Sequence, residues 1–345
     1  MASPLRNALL GAGAMAAAYV GYRAVVNRAR RYNFLGRVVV ITGGSRGLGL
    51  VLARQLADEG ARLAICARDQ RELGRAAREL ESRGAQVLVY PCDLTDPQQL
   101  VDFFATVRYE LGPVDVLINN AGVIQVGPAE TQTEKDFEEA LALHLWAPWR
   151  AMQQVLPEMR SRRDGRIVNI SSIGGAVAAP HLLPYTTSKF ALSGLSQAYR
   201  AELARQGVYV TTVFPGLMRT GSPRHAWFKG RHREEYAWFS ISDSLPALSI
   251  SAQAAARKII SACRYGRAFL TFTLPARLGI AMNGLAPELT ADLLAVAAML
   301  LPGPGGVGST AVEGAGSFSQ WSPSLLTILN ERAAIANNQI LPESM

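Results

Sequence analysis

The stretch Val38-Val-Val-Ile-Thr-Gly-Gly-Ser-Arg-Gly-Leu-Gly49 joins a short apolar run to a glycine-rich turn. An apolar helical pattern follows at once over residues 50–57 and stops near Gly60. Glycines let a backbone approach a pyrophosphate closely, and the N-terminus of the next helix supplies free N–H groups and a partial positive charge. An ordinary tight turn is the alternative, but the position directly after a strand favours a nucleotide site.

The same alternation of strand and helix continues along the chain. Apolar runs predict strands near 37–42, 62–67, 86–91, 114–119, 165–171, 208–214 and 268–272. Helical patterns occupy 47–59, 69–83, 97–111, 134–160, 184–206 and 251–264. Continuous apolar strands are typical of a parallel sheet that is covered on both faces. The fold class is therefore α/β, a Rossmann-like doubly wound parallel sheet forming a single domain.

A second pattern lies further along the chain, where Tyr185 and Lys189 stand in an i, i+4 relation shortly after Ser172. Residues at i and i+4 share one face of a helix. An ammonium beside a phenol favours the phenolate, which predicts a lowered pKa for Tyr185. Such a tyrosine can exchange a proton with a carbonyl or alcohol oxygen, which Ser172 could also contact by a hydrogen bond. Tyr-x-x-x-Lys alone is equally compatible with a solvated helix face.

Taken together, these motifs resemble those of the short-chain dehydrogenase/reductase family over about residues 36–265. The glycine segment has that family's Thr-Gly-x-x-x-Gly-x-Gly form, and further motifs follow in the family order. The resemblance implies hydride transfer between NADP(H) or NAD(H) and a carbonyl or alcohol, with Ser172, Tyr185 and Lys189 as catalytic residues. It also implies a cofactor site formed by Gly43, Ser45, Arg46, Gly47, Leu48, Gly49, Arg68, Asp93, Leu94, Asn119, Ala121, Gly122, Tyr185, Lys189, Pro215, Gly216 and Thr220.

One position departs from the family pattern. In the helix that follows the Asn119 motif the family usually has an asparagine, thought to hold a water that links the lysine to solvent, and this chain has His144 there. Histidine can also hold a water and titrates near neutral pH. A modified catalytic proton relay is one interpretation, and a core histidine that fills the position is the other.

Charged residues near the second strand bear on the choice of cofactor. NAD-binding relatives place an acidic side chain after that strand, whereas a 2′-phosphate needs a cation. Here Arg68 ends the strand, Asp69 comes one residue late, and Arg46 lies in the glycine loop. Two arginines near one locus favour NADP(H) over NAD(H), although both could be solvated surface charges.

The N-terminus, residues 1–35, has the composition of a targeting or anchor segment. Residues 8–22 carry no charge, and Arg23, Arg28, Arg30 and Arg31 follow them. Fifteen helical residues span roughly 22 Å, less than the ~30 Å of a hydrocarbon core. A weak transmembrane or interfacial anchor is favoured over a cleaved signal peptide. The position of the positive charge would keep the following domain on the cytoplasmic face of the membrane.

Beyond the catalytic domain, residues 36–272, lies an apolar C-terminal extension, residues 273–345. Its run 293–301 predicts a helix that packs on the core, a partner or a bilayer, and Ser322-Pro323 predicts the start of a final helix. The segment 224–239 mixes basic and aromatic residues. Phosphate binding with base stacking is one interpretation, but a membrane-facing lid over the active site is favoured over nucleic-acid binding.

The net charge and the cysteines bear on which partners and which kinds of site the protein could have. The net charge of +8 suits an anionic surface or plain solubility, and three cysteines without metal-ligand spacing predict buried thiols and no metal site. The predicted substrate is a small apolar molecule, such as a 3-oxoacyl chain, a sterol or a retinoid-like alcohol, although a sugar is an alternative. A catalytically weak NADP-binding sensor or scaffold of the same fold is the second function class. The resemblance alone implies a homo-oligomer.

Overall fold

A seven-stranded parallel sheet forms the centre of the protein, whose computed structural model describes residues 4–340 without the side chains of residues 4–12 and 16. The strands are β1 Val38–Thr42, β2 Arg62–Ala67, β3 Val87–Pro91, β4 Val116–Asn119, β5 Gly165–Ile170, β6 Val208–Phe214 and β7 Phe269–Thr271. Their spatial order is β7-β6-β5-β4-β1-β2-β3, so the chain reverses direction across the sheet between β1 and β4. In such sheets ligands bind outside the carboxyl ends of the strands at this reversal. The predicted doubly wound fold is confirmed.

Alternate residues of β1 supply two separate cores. Val39 and Ile41 pack with the helices on one face, and Val38 and Val40 pack with those on the other. Each of these side chains is fully buried. Burying a valine or isoleucine contributes about 1.5–3 kcal/mol, which explains why a strand whose first four residues are all apolar lies at the centre of the sheet.

Twelve α-helices lie within residues 4–340. They are α1 Pro4–Ala29, α2 Gly47–Asp58, α3 Gln70–Ser82, α4 Pro97–Leu111, α5 Glu134–Leu141, α6 Ala147–Arg162, α7 Leu183–Leu203, α8 His232–Ser244, α9 Ala252–Arg264, α10 Leu274–Leu285, α11 Pro287–Met299 and α12 Ile328–Ala336. The predicted helix 134–160 is divided into α5 and α6 by a π-helical turn, Ala142–Trp146. Pro148 has no N–H to donate to the carbonyl of His144, which favours the irregular turn there.

Much of the exposed apolar surface lies on helices near the two ends of the chain. The described side chains of α1 include Met15 and Tyr19, which are exposed. Within residues 4–340, none of the helices combines the length and apolar character needed to cross a membrane. Most of α11 is also exposed, because only Thr290 is buried among its residues. The final helix begins later than predicted, since Ser324 rather than Ser322 caps the turn that leads into it.

The segment 224–239 was predicted to be a membrane-facing lid, but several of its aromatic side chains face inward. Phe228, Tyr236 and Phe239 are buried and form their own small core with Val126 and Ala226. The short strand Trp227–Phe228 pairs with strands at 125–126 and 312–313, which turns Phe228 inward.

Two of the basic side chains of that segment form ion pairs within the protein. Arg224 pairs with Glu331, and Lys229 forms a buried ion pair with Asp136. We call residues 217–248 the cover segment, because several of its residues line the crevice and others pack together as a small core.

Candidate active site

A crevice of about 1210 Å³ lies at the carboxyl ends of the central strands. Most of the predicted site residues line it: Gly43, Ser45, Arg46, Gly47, Leu48, Arg68, Asp93, Leu94, Ala121, Gly122, Ser172, Tyr185, Lys189, Pro215, Gly216 and Thr220. Gly49, Asn119 and His144 are not among the lining residues. The fold thus gathers residues from widely separated parts of the chain, from Gly43 to Thr220, around one space.

The glycine loop has no room for side chains where it turns into α2. A Cβ on Gly49 would lie 2.1 Å from the carbonyl oxygen of Gly43. A Cβ on Gly43 would lie 2.9 Å from the Cα of Ala121, and Gly43 has a φ of 64°. Both glycines are therefore required by close backbone contact and, for Gly43, by a left-handed conformation. Gly49 does not line the crevice, and its role is to let the loop backbone at Gly43 pack closely against the start of α2.

The Asn119–Gly122 motif joins β4 to the glycine loop. Asn120 donates from its side-chain amide to the carbonyl oxygens of Thr42 and Gly43, at 3.1 and 3.0 Å. Asn119 is buried below the crevice and donates to the Oδ1 of Asn169 at 2.8 Å. Asn120, which the predicted site did not include, lines the crevice in place of Asn119.

Ser172, Tyr185 and Lys189 converge on the middle of the crevice. Ser172 follows β5, and its Oγ accepts a hydrogen bond from the Gly174 N–H at 3.0 Å. Tyr185 and Lys189 lie one turn apart on α7, with Nζ of the lysine 5.6 Å from the centre of the phenol ring. This brings together a hydroxyl, a phenol and an amine that can act on one oxygen atom.

Lys189 is buried without a carboxylate partner among the described residues. Its Nζ donates to the Ile170 carbonyl oxygen at 3.0 Å. Burial lowers the pKa of Lys189 to about 7. The amine is therefore only partly protonated at neutral pH, since burial disfavours the charged form.

The phenol differs from the sequence-based expectation. Burial raises the pKa of Tyr185 above its ordinary value, and the nearby Asp243 raises it further, while a hydrogen bond with Ser172 lowers it. The prediction that Lys189 lowers this pKa is wrong for the protein on its own, because desolvation of the phenolate dominates. Tyr185 thus carries its proton at neutral pH and is ready to donate it.

His144 lies directly behind the crevice in the π-helical turn. Its Nε2 accepts from the Val123 N–H at 3.1 Å, and its Nδ1 is 2.8 Å from the Oγ of Ser188. Burial, then Lys189, hold its pKa well below the ordinary value. The ring is neutral and both nitrogens have protein partners, which supports the interpretation of a core histidine over a water-holding relay. Its ring meets Tyr185 edge-on, with centroids 5.6 Å apart, so it supports the phenol by packing.

The two arginines proposed for the cofactor are not equivalent. Arg46 already pairs with Glu72 at 2.9 Å, and Glu72 also accepts from the Ser45 hydroxyl at 2.9 Å. Arg68 is exposed at the crevice and has no ion pair within residues 4–340. Asp69 accepts from the Glu72 N–H as the cap of α3, and this hydrogen bonding lowers its pKa. Arg68 is therefore the cation available to a 2′-phosphate at the carboxyl end of β2.

Asp243, in the cover segment, lies on the substrate side of the crevice and was not predicted. It is buried on α8 and accepts from the Met218 N–H at 3.0 Å. Burial raises the pKa of Asp243 to about 7. A lone aspartate in Ser242-Asp-Ser244 has no sequence pattern that would have indicated this position.

Replacing Asp243 with asparagine should stabilise the protein more at pH 8 than at pH 5. In the folded chain the pKa of Asp243 is raised, so the contribution of this residue to the stability of the native protein falls as pH rises from about 4 to about 7. Above this range the aspartate is charged and buried, and asparagine removes that cost while keeping an acceptor for Met218. Each pKa unit is about 1.4 kcal/mol, so an effect of a few kcal/mol is the upper limit. Thermal melts of both proteins at the two pH values measure it, and an equal change at both would contradict a buried ionising carboxyl.

Two observations indicate that the crevice can hold a dinucleotide. The glycine loop leaves the space that side chains would fill, and Gln125 and Gln339 each present a buried amide oxygen without a hydrogen-bond partner among the described residues. Gln339 comes from the C-terminal segment, which sequence reasoning did not connect with the site. Among residues 4–340, no group of three or more His, Cys, Asp or Glu side chains could hold a metal ion.

The family model for short chain dehydrogenases matches residues 37–227, which is more than half of the chain. The chain belongs to the short-chain dehydrogenase family. This confirms the resemblance seen in the sequence, and Ser172, Tyr185 and Lys189 lie inside the matched region.

Three comparisons place this short-chain dehydrogenase among its relatives. It is 36% identical to granaticin polyketide synthase putative ketoacyl reductase 1 of Streptomyces violaceoruber, over 58% of this chain and 72% of that protein. It is 34% identical to the fatty acyl-CoA reductase of Acinetobacter baylyi, over 55% of this chain and 65% of that protein. A structure of an actinorhodin polyketide ketoreductase variant with NADPH is 29% identical, with a TM-score of 0.62 over 69% of this chain and 95% of that one.

Proposed function

We propose that this short-chain dehydrogenase reduces the carbonyl group of an apolar substrate with NADPH. The observation that carries the proposal is that Ser172, Tyr185 and Lys189 line the same crevice as the glycine loop. A carbonyl placed against Ser172 and Tyr185 would therefore lie beside a dinucleotide held by that loop.

The chain's own groups supply the proton and hold the substrate. When bound, NADPH supplies the hydride that reduces the carbonyl carbon and is left as NADP⁺. Ser172 donates a hydrogen bond to the carbonyl oxygen, and the Tyr185 O–H transfers its proton to the same oxygen, which gives the alcohol. The phenolate that remains is stabilised by the protonated form of Lys189, and it regains a proton before the next turnover. The raised pKa of Tyr185 suits this direction, because the phenol begins in the acid form.

An apolar substrate is favoured by the part of the crevice beyond Tyr185. Its lining includes Leu182, Leu217, Met218 and Phe239. Two relatives, a ketoacyl reductase and a fatty acyl-CoA reductase, are named for acyl substrates. Asp243 also lines the crevice and can accept a hydrogen bond from a hydroxyl group on an otherwise apolar molecule.

Membrane contact is the second part of the proposal, and it rests on α10 and α11. Leu285 and Met299 are more than 80% exposed, and Leu278, Leu289 and Val296 are more than half exposed. Apolar surface of this extent commonly marks a membrane or protein contact. Helix α10 packs behind the crevice lining, since a Cβ on the lining residue Gly216 would lie 3.4 Å from the Cβ of Ala276, and Asn283 donates to the Ala176 carbonyl oxygen. A cytoplasmic membrane surface against α10 and α11 would put lipid close to the side of the crevice that Gly216 lines.

The alternative is a dinucleotide-binding sensor with little turnover. A sensor has no chemical need for Ser172, Tyr185 and Lys189 together, whereas a reductase requires them. Turnover therefore separates the two functions.

A chain-length series tests the reductase, measured as NADPH oxidation with straight-chain 3-oxoacyl thioesters, ketones and aldehydes, with and without anionic vesicles. Each buried CH₂ contributes about 0.8 kcal/mol, so kcat/KM should rise roughly fourfold per carbon until the pocket is filled. Vesicles should increase the rate for the longest substrates, and Leu285→Ser with Met299→Ser should remove that increase. A flat series, or a preference for sugars, would contradict the apolar substrate. Binding of NADPH without turnover on any carbonyl would favour the sensor.

A further inference from the structure

The C-terminal segment Asn337–Gln339 crosses the glycine loop, although the two lie near opposite ends of the sequence. The Gly47 N–H donates to the Asn337 carbonyl oxygen at 2.8 Å. The Asn338 side chain donates to the Ser45 carbonyl oxygen at 2.8 Å. We call Asn337–Gln339 the strap.

The strap is fixed on both sides of the crevice. On one side, Arg75 donates to Asn338 Oδ1 at 2.6 Å, which ties the strap to α3. On the other, His225 of the cover segment contacts the Gln339 carbonyl oxygen at 3.0 Å. Asn338 has a φ of 60°, a left-handed conformation that asparagine tolerates, and this turns the chain over the loop. The strap therefore bridges the glycine loop and the cover segment.

Gln339 is the strap residue that faces the site. It is only 7% exposed and lines the crevice, with Nε2 2.9 Å from the position a Cβ on Gly47 would take. Its Nε2 also donates to the Thr220 carbonyl oxygen at 3.4 Å. Its Oε1 has no hydrogen-bond partner among residues 4–340. A buried acceptor without a partner is unfavourable, and a ligand that donates to it removes that cost.

We propose that the strap is part of the dinucleotide site and that the Gln339 amide oxygen accepts a hydrogen bond from the bound cofactor. The Gln339 side chain lies between Gly47 and Thr220. Its oxygen could therefore accept from a ribose hydroxyl or from the carboxamide N–H₂ of the nicotinamide. This inference rests on the proposed function. Because the strap lies across the loop, it also retains the bound cofactor and slows its release.

Equilibrium titration and stopped-flow measurement of NADPH fluorescence test this inference without any substrate. Gln339→Met keeps the side-chain size and removes the acceptor, so we expect Kd to rise about tenfold, the size of one lost hydrogen bond. A chain ending at residue 336 should lose more affinity, mainly through faster dissociation. A chain ending at residue 340 and the exposed control Gln253→Met should bind as the wild type does.

The possible results distinguish a failure of the strap inference from a failure of the proposed function on which it rests. If the wild type binds NADPH and folded Gln339→Met binds equally well, the strap inference is overturned while the reductase proposal stands. Tighter binding by the shortened chain would also overturn it, because the strap would then compete with the cofactor. If the shortened chain does not fold, Gln339→Met decides alone. A wild type that binds no NADPH overturns the proposed function, and the strap inference with it.

Discussion

Replacing Tyr185 with phenylalanine is expected to lower kcat for carbonyl reduction by about a thousandfold. A positioned acid typically contributes between about 10² and 10⁴ in rate, and the raised pKa of Tyr185 keeps its phenol protonated at neutral pH. Phenylalanine keeps the ring and its edge-on packing against His144, so the fold should be unchanged. The measurement is steady-state NADPH oxidation with the best substrate of the chain-length series.

Binding measurements give the control for this variant. NADPH should bind Tyr185→Phe with nearly the wild-type Kd, because the lost hydroxyl faces the substrate oxygen. Ser172→Ala should lower kcat less, since it removes a hydrogen bond and leaves the proton donor in place. A Tyr185→Phe protein that keeps half of its activity would exclude the phenol as the acid.

Local spacing was sufficient to predict the fold and most of the crevice. The glycine loop between β1 and α2 depends on contacts within a few residues, such as the approach of Gly49 to the Gly43 carbonyl. Tyr185 and Lys189 share a helix face, so their proximity follows from the helical repeat. Seven continuous apolar strands could form a parallel sheet only with helices on both faces.

Long-range contacts could not be predicted in this way. Glu72 neutralises Arg46 from the separate helix α3, and Gln339 reaches Gly47 from the far end of the chain. The pKa of Tyr185 rises instead of falling because the phenol is desolvated and because Asp243 approaches it from the distant helix α8, and neither can be read from the Tyr-x-x-x-Lys spacing. The aromatic residues of that segment were expected to face a membrane, but composition does not reveal which side of a segment finds a core.

The catalytic use of His144 stays a prediction, and its contacts weaken it. A relay needs a ring nitrogen for water, whereas Val123 and Ser188 take both. The neutral ring reflects its burial, which no single-sequence pattern could have indicated.

Replacing Arg68 with aspartate should move the preference of the enzyme from NADPH towards NADH by tens of fold in the ratio of kcat/KM values. A charge-assisted contact with a 2′-phosphate is worth roughly 2 kcal/mol, and an aspartate there repels the phosphate while it can accept from a ribose hydroxyl. Arg46→Ala is the matched control and should change the ratio less, because Glu72 already pairs with Arg46. Glu72→Gln should act in the opposite direction to Arg68→Asp, since it frees the Arg46 guanidinium for the phosphate. The measurement is steady-state kinetics with NADPH and with NADH for the wild type and the three variants. A wild type that already prefers NADH would show that the exposed Arg68 does not select the cofactor.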